Sequence, residues 1–424
     1  MTTAAISLDQ TDALEVIESL RKGIPPKRYA SCYTSGTEDF LEKVRKFHLE
    51  SASTRGRLRF VSGSWGAGKT HFLRLLREEA FDANYLVSTV ELNADSTPFN
   101  KFEQVFYDIV RNITSPEMYR EGQLAHAAPF GEVLRRALLK APAAPGESVS
   151  PERYHAAKES LFAADGIDID FRRIVAQYWE TFLPEGGDVA TLENARGRLL
   201  QWFAGEGTMG MYRKLDIQKT VNRANARQML QSLSRFSTHI GYRGLLILFD
   251  EAEMSYSTMR KSNLKQAHNN LLHLINSIDE SEGAFLIYAT TPDFYIDERH
   301  GITIYGALAQ RIGKPDDKPP RPLDRIWNLD FAQSALDDHL NAASKIRNIY
   351  VSAYPEFGDS IPSETEVRDY VGKLMEEHPE FSRVSKWRIA VTGTVRALDA
   401  RAQGDTLPPA EQLHQDIMDT LRNL

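Results

Sequence analysis

The segment Gly63-Ser64-Trp65-Gly66-Ala67-Gly68-Lys69-Thr70 constrains the fold of this chain more than any other. It has the P-loop spacing G-x-x-x-x-G-K-T, in which glycines let successive backbone N–H groups turn towards phosphates. Lys69 would reach the β- and γ-phosphates, and Thr70 would hold Mg²⁺. The motif requires a strand before it and a helix after it, and the apolar spacing of residues 57–63 and 71–79 predicts both. A nucleotide-binding strand–loop–helix unit is therefore predicted.

A second candidate site lies where the continuous apolar run 244–249 ends in Asp250 and Glu251. Such a run is typical of a parallel strand that is buried on both faces. Beside a nucleotide, Asp250 would hold Mg²⁺ through water and Glu251 would polarise the attacking water. A solvated turn after a core strand is the alternative interpretation, but the presence of the glycine-rich segment favours a role for both acids in hydrolysis. We therefore predict a Mg²⁺-dependent ATPase in which Lys69 and Glu251 are catalytic.

Residues downstream of this strand are candidates for assisting hydrolysis. Thr290 and Thr291 end the next strand, where a hydroxyl can orient the attacking water or simply satisfy a turn before Pro292. We assign the role to Thr290 and leave Thr291 open. Arg311 follows a short helix, from which it can reach the γ-phosphate of a neighbouring subunit as an arginine finger. An exposed surface arginine is an equal interpretation.

Three basic residues, Arg383, Lys386 and Arg388, lie near the start of a predicted carboxy-terminal helix. One of them can fold over the nucleotide as a lid sensor, because a guanidinium group binds phosphate oxygens well. Arg388 is the candidate. Solvated charges at a helix start are the alternative interpretation.

A basic run in the middle of the chain is a candidate DNA or RNA surface. It lies near Trp202, Phe203 and Tyr212, and basic patches interleaved with aromatic side chains bind single strands. A solvated helix face is the simpler interpretation of the same pattern. The basic residues are Arg213, Lys214, Lys219, Arg223 and Arg227.

Five segments with strand character alternate with predicted helices, which is typical of an α/β fold with a parallel sheet. We predict a leader of helices at 1–56, a nucleotide-binding core at 57–330 and an all-helical domain at 331–424. A mostly helical insertion at 114–240, with its best candidate linker at 141–148, interrupts the core. The strand segments are residues 57–63, 86–92, 244–249, 284–290 and 326–329.

The composition of the 424 residues restricts the class of protein. A net charge of -7 argues against a uniformly basic protein that coats nucleic acid. Cys32 is the only cysteine, so no intrachain disulfide can form and a cytoplasmic location is expected. Charges interrupt the first twenty residues and no long apolar run occurs, so we expect neither a secretory signal nor a membrane partner.

The glycine-rich segment, the Asp250-Glu251 pair after the insertion and the helical tail from Phe331 to Leu424 together resemble the AAA+ class of P-loop ATPases. That class usually stacks a small helical domain over the nucleotide. The resemblance implies an α/β, AAA+-type P-loop NTPase fold with a five-stranded parallel sheet, a helical insertion and a carboxy-terminal all-helical lid. It also implies ATP and Mg²⁺ as cofactors and assembly into a homo-oligomer.

Four segments carry a narrower resemblance: Val16 to Pro26, Tyr33 to Gly36, Gly63 to Leu73, and Leu246 to Glu253. They are similar to the BrxC/BrxD family of ATP-binding proteins found in bacterial phage-defence systems such as BREX. The resemblance implies that the leader lies close to the nucleotide, so that Ile24, Pro25 and Tyr33 are candidates for contact with adenine. The predicted nucleotide-binding residues are Gly63, Ser64, Trp65, Gly66, Ala67, Gly68, Lys69, Thr70, His71 and Arg388.

The resemblance further implies an ATPase of an antiviral defence system that couples ATP turnover to the remodelling or loading of a DNA-associated defence complex. Its partners would be other defence proteins, such as a helicase or a methyltransferase, with DNA bound directly or through those partners. The alternative is a nucleotide-gated binding switch with slow turnover that recruits or licenses a partner helicase or nuclease. A third interpretation is a loader whose basic insertion binds DNA directly.

Overall fold

A computed structural model describes residues 8–52, 54–124, 127–139, 148–184, 188–257, 259–332, 334–378 and 385–422. The chain forms two compact units. The first is built from Met1–Lys46, Ser62–Glu79 and Asp316–Leu424, and the second from Phe47–Val61 and Ala80–Pro315. Arg383 and all of the predicted linker except Ser148 lie outside the described residues.

One mixed sheet is present within the described residues. Its strands are β1 (Arg57–Ser62), β2 (Leu86–Glu91), β3 (Ile113–Thr114), β4 (Leu245–Asp250), β5 (Ala284–Thr290) and β6 (Ile326–Asn328). They follow the order β3-β2-β4-β5-β1-β6. β2 pairs parallel with β4, β4 pairs parallel with β5, and Asp250 ends β4 opposite Glu91 of β2. Every residue of β4 and β5 is buried, as expected for strands covered on both faces.

The sequence predicts five parallel strands, but the described part of the sheet has six. The additional strand is β3, which pairs antiparallel with β2 through Val87 with Thr114 and Ser88 with Ile113. Two residues are too few to show the alternation by which a strand is predicted. The predicted number of strands was therefore wrong, and the described sheet is mixed instead of wholly parallel.

Helices make up most of the remaining described chain. Several begin at a side-chain cap: Ser115 and Ser150 accept a backbone N–H, and each is followed by a proline at the first helical position. In chain order the helices are α1 (Gln10–Arg21), α2 (Glu38–Val44), α3 (Lys69–Asp82), α4 (Phe102–Arg111), α5 (Pro116–Arg120), α6 (Pro129–Leu139), α7 (Pro151–Ala163), α8 (Ile169–Glu180), α9 (Val189–Phe203), α10 (Met209–Arg213), α11 (Ala226–His239), α12 (Ala252–Ser257), α13 (Lys261–Ser277), α14 (Asp293–Ile296), α15 (Gly306–Ile312), α16 (Leu336–Ala353), α17 (Glu364–Glu376), α18 (Lys386–Ala402) and α19 (Ala410–Arg422).

The predicted insertion is helical where it is described, and it has an aromatic core within the second unit. The ring of Phe171 lies 5.2 Å from that of Phe203 and 5.5 Å from that of Phe236, centroid to centroid. Phe130 meets Phe203 edge-on at 4.8 Å. Such aromatic contacts contribute stability beyond the area they bury. The helices predicted around 152–163, 168–183, 190–204 and 222–240 correspond to α7, α8, α9 and α11.

The core of the first unit joins the two ends of the chain. Val16, Ile17 and Leu20 of α1 are buried in one apolar cluster with residues of α16, α17, α18 and α19. At the edge of this cluster, Arg21 donates to both carboxylate oxygens of Asp399 on α18, at 2.8 and 2.6 Å. The leader helix is therefore an integral part of the carboxy-terminal helical bundle.

Candidate nucleotide-binding site

The glycine-rich loop connects β1 to α3. Gly66 and Gly68 have φ values of +84° and +90°, a region that side-chain-bearing residues avoid, so this backbone path requires glycine. Among the described residues, the backbone N–H groups of Trp65, Gly66 and Gly68 donate no hydrogen bond. Unengaged N–H groups in a loop that leads into a helix form an anion-binding concavity. The loop therefore fits phosphate.

Lys69 is the cation of this loop and is 8% exposed. Its Nζ donates to the carbonyl oxygen of Gly63 at 2.8 Å and lies 5.6 Å from the ring centroid of Trp65. Trp65 itself is 61% exposed. Thr70 follows as the second residue of α3 and is half-buried. An ammonium group has three N–H donors, so Lys69 can hold the carbonyl of Gly63 and donate to a phosphate oxygen as well.

His71 connects the loop to the leader. Its Nδ1 lies 2.9 Å from the hydroxyl of Tyr33, and its Nε2 lies 2.7 Å from the hydroxyl of Thr34. Because Thr34 donates its proton to the carbonyl of Ala30, Nε2–H must donate to Thr34 and Nδ1 must accept from Tyr33. Burial, assisted by the positive charge of Arg74, lowers the pKa of His71 to about 4 and keeps the ring neutral. The predicted nucleotide contact of His71 would therefore use its backbone N–H in the first turn of α3.

Further hydrogen bonds join the leader to α3. Glu78 accepts the backbone N–H groups of Ala30 and Ser31 at 2.7 and 3.0 Å, and Arg74 donates to the carbonyl of Pro25. Among the candidates for adenine contact, Ile24 is exposed, whereas Tyr33 is buried with its hydroxyl on His71. The leader is thus held against the helix that the glycine-rich loop begins.

The start of α18 lies beside the same loop. A Cβ placed on Gly66 would lie 3.8 Å from the Cβ of Ser385, which precedes α18. Lys386 and Arg388 are exposed in the first turn of this helix. Within the described residues, the side chain of Arg388 makes no hydrogen bond or ion pair.

Asp250 and Glu251 lie in the second unit at the end of β4. Asp250 is 4% exposed, and its Oδ1 accepts the backbone N–H of Glu251 at 3.0 Å. Glu251 has a φ of +56°, a left-handed conformation that is rare for a residue other than glycine, asparagine or aspartate. Strain of this kind is concentrated at functional sites, where the surrounding structure holds it. Among the described residues, Tyr29, Asn84 and Asp216 also have positive φ, and Glu251 is the one of these four that the sequence predicts as catalytic.

The strain at Glu251 gives a test that needs no activity assay. We expect Glu251→Gly to be more stable than Glu251→Ala by about 1 kcal/mol, because glycine adopts positive φ without a steric penalty. Chemical denaturation of the two variants measures this difference. Glu159 in α7 is the matched control, since it is exposed inside a helix, where alanine should be the more stable replacement. If the same replacement, glycine or alanine, gave the more stable protein at both positions, the strain assigned to Glu251 would be contradicted.

Thr290 and Arg311 also belong to the second unit. Thr290 is fully buried, and its hydroxyl has no hydrogen-bond partner in the described part of the chain. This observation disfavours the alternative in which the hydroxyl of Thr290 satisfies a turn. Arg311 is exposed in the last turn of α15, and its side chain forms no ion pair with any described residue.

The aromatic side chains near the basic run are not available for binding nucleic acid. Trp202, Phe203 and Tyr212 are buried, and Trp202 donates from its indole N–H to the carbonyl of Lys219 at 2.8 Å. These rings cannot stack on bases, so the aromatic part of the predicted DNA or RNA surface is wrong. The charges themselves are exposed, except for the half-buried Arg227. They fit the alternative of a solvated face.

The glycine-rich loop is recognisable in the sequence, but one of its partners is not. Asp330, in the turn after β6, accepts both the backbone N–H and the hydroxyl of Ser64. Nothing in the sequence around Asp330 marks it, because the contact joins residues far apart in the chain.

The described residues hold no cluster of three or more candidate metal-ligand side chains. None of the described helices is both long and apolar enough to cross a membrane.

A parallel-stranded α/β sheet with a glycine-rich strand–loop–helix unit defines the class of nucleotide-binding α/β proteins. The family model described as BREX system ATP-binding protein BrxC/D matches residues 8–416. The chain therefore belongs to the BrxC/BrxD family, and the resemblance predicted from sequence is confirmed. ATP binding and a role in BREX defence follow at the level of the family. A search of curated proteins found no match.

Proposed function

We propose that this chain is a Mg²⁺-dependent ATPase of the AAA+ class that couples ATP turnover to the remodelling or loading of a DNA-associated defence complex. The observation that carries the proposal is the glycine-rich loop, which has two glycines at positive φ and three unengaged backbone N–H groups ahead of Lys69. The strained backbone of Glu251 supports hydrolysis in addition to binding. In this proposal, residues 57–330 are the AAA+ core, 114–240 its insertion and 331–424 the lid.

The residues divide into binding and hydrolytic roles. The loop N–H groups would bind the phosphates, and Lys69 would donate to a phosphate oxygen from its position beside the carbonyl of Gly63. Thr70 and Asp250 offer the oxygen ligands that Mg²⁺ prefers, and the ion would neutralise phosphate charge when bound. Glu251 would polarise the attacking water. Thr290 would orient that water, and Arg388 would bind the nucleotide from the lid.

We also propose that the chain assembles into a homo-oligomer in which Arg311 acts on the nucleotide of a neighbouring subunit. Arg311 is exposed on α15, and Ile296 and Ile304 are exposed on the preceding elements of the same unit. Exposed apolar side chains are typical of surfaces that associate. Other defence proteins, such as a helicase, and DNA are the further partners in this proposal.

Arg311→Ala should remove the concentration dependence of hydrolysis. A finger supplied by a neighbouring subunit contributes about 10³- to 10⁵-fold in rate, so the wild-type rate per molecule should rise with protein concentration while that of the variant stays low. Phosphate release measured over a dilution series, with ATP binding measured in parallel, tests this. Arg299→Ala is the matched control, because Arg299 is also exposed in this part of the second unit. Equal dilution curves for wild type and Arg311→Ala would exclude the finger.

A further inference from the structure

The entrance of the glycine-rich loop is fixed by a carboxylate that the chemistry above does not use. Both oxygens of Asp330 lie 3.0 Å from the backbone nitrogen of Ser64, and Oδ2 lies 2.9 Å from its hydroxyl oxygen. Ser64 is the second residue of the loop, and its side chain and backbone therefore donate to one carboxylate. An ionised acceptor strengthens these hydrogen bonds, although Ser64 and Asp330 are both exposed and water screens part of the effect.

Asp330 is itself held by its neighbours. Its backbone N–H donates to the side-chain oxygen of Asn328 at 3.3 Å, and the side-chain nitrogen of Asn328 donates to the carbonyl of Asp316 at 3.0 Å. Asn328 is buried. Leu329 packs close to the loop, since a Cβ on Gly63 would lie 3.4 Å from the Cβ of Leu329. The turn Leu329–Phe331 therefore lies against the first residues of the loop.

Lys69 also contacts the loop entrance, because its Nζ donates to the carbonyl of Gly63. An ammonium group has three N–H donors, so Lys69 can bind a phosphate oxygen and keep this contact. The contact between Ser64 and Asp330 does not involve Lys69, so it is a second, independent support of the loop entrance.

We propose that Asp330 is the positioning residue of the nucleotide loop, because it holds the entrance of the loop through Ser64. This inference rests on the proposed ATP binding. It predicts weaker binding when Asp330 is removed, because the loop loses its fixed entrance. Electrostatics alone predicts the opposite, since removing a negative charge should favour binding of the anionic nucleotide. Weaker ATP binding by a variant without Asp330 would therefore support positioning of the loop, and tighter binding would support a purely electrostatic effect.

Isothermal titration of ATP with Mg²⁺ tests the proposal on the full chain. We expect Asp330→Ala to raise Kd and the KM for ATP by about 5- to 10-fold while kcat at saturating ATP stays within about twofold. Ser64→Ala should have a smaller effect, and adding it to Asp330→Ala should change Kd little further, because both replacements remove one contact. Asp330→Asn, which keeps an acceptor for the Ser64 N–H, should bind ATP more tightly than Asp330→Ala.

Asp317→Ala is the matched control for charge. Asp317 is exposed in the segment that leads to β6, and its side chain makes no hydrogen bond or ion pair within the described residues. It should leave Kd unchanged. Unchanged or tighter ATP binding by Asp330→Ala, in a wild type that binds ATP and loses binding on Lys69→Ala, would overturn the role of Asp330. A wild type that does not bind ATP would instead overturn the proposed function.

Discussion

Replacing Lys69 with alanine is expected to weaken ATP binding by about 100-fold or more and to abolish hydrolysis. The lysine is the one cation that the motif directs at the β- and γ-phosphates, and each charge-assisted hydrogen bond contributes about 1.5 to 3 kcal/mol. Two such bonds account for the expected loss. Titration calorimetry with ATP and Mg²⁺ measures it directly.

The control for this variant is Lys373→Ala, which removes the same charge from an exposed position in the last turn of α17. It should bind ATP like the wild type. Lys69→Ala should also remain folded, because its ammonium group donates to carbonyls of the loop itself. Wild-type affinity in a folded Lys69→Ala protein would show that nucleotide binds elsewhere, and the assignment of the loop would be wrong.

Replacing Glu251 with glutamine is expected to lower the rate of hydrolysis by about 10²- to 10⁴-fold, which is the usual contribution of a general base. ATP affinity should change little, because the proposed role of Glu251 concerns the attacking water. Glutamine keeps the size of the side chain, so the left-handed backbone of this residue is not relieved. Single-turnover hydrolysis with protein in excess over ATP separates this step from binding. An unchanged rate would remove Glu251 from the mechanism.

The same variant distinguishes the two proposed modes of action. If turnover drives remodelling, Glu251→Gln should bind ATP and lose the defence function. If ATP occupancy alone sets the active state, the trapped variant should be constitutively active. A phage-protection assay on cells carrying either protein reads out the difference.

The parts of the fold that were predicted correctly are encoded locally. Residues 244–249 form one unbroken apolar run, and the glycine-rich segment imposes its own backbone path, so both could be recognised without knowledge of distant contacts. Helices such as α8 and α11 also follow from their apolar spacing. By contrast, β3 is too short to leave a pattern and forms only because β2 offers it a partner.

The remaining features depend on contacts between distant parts of the chain. Asp330 bonds Ser64 across 266 positions, and α1 packs among helices that lie more than three hundred residues later. The left-handed backbone of Glu251 is likewise imposed by its surroundings, since glutamate has no local preference for it. Periodicity and motif spacing carry no information about such contacts.

The incorrect prediction of aromatic side chains on a DNA or RNA surface near the basic run has a related cause. Trp202 and Phe203 end α9, whereas most of the charges that are close to them in sequence lie in the segment between α10 and α11. The rings are buried in the core of the insertion, and the charges other than Arg227 are exposed. Proximity in sequence therefore suggested a mixed surface that the fold does not form.

The most direct test of the central claim is phosphate release by the purified chain, measured across protein concentrations with Mg²⁺, with and without double-stranded DNA. Glu251→Gln serves as the matched control. The proposed assembling ATPase predicts release that rises per molecule with concentration and that the Glu251→Gln variant lacks. A wild type that binds ATP but releases phosphate no faster than Glu251→Gln under every condition would contradict the ATPase assignment and favour the nucleotide-gated switch.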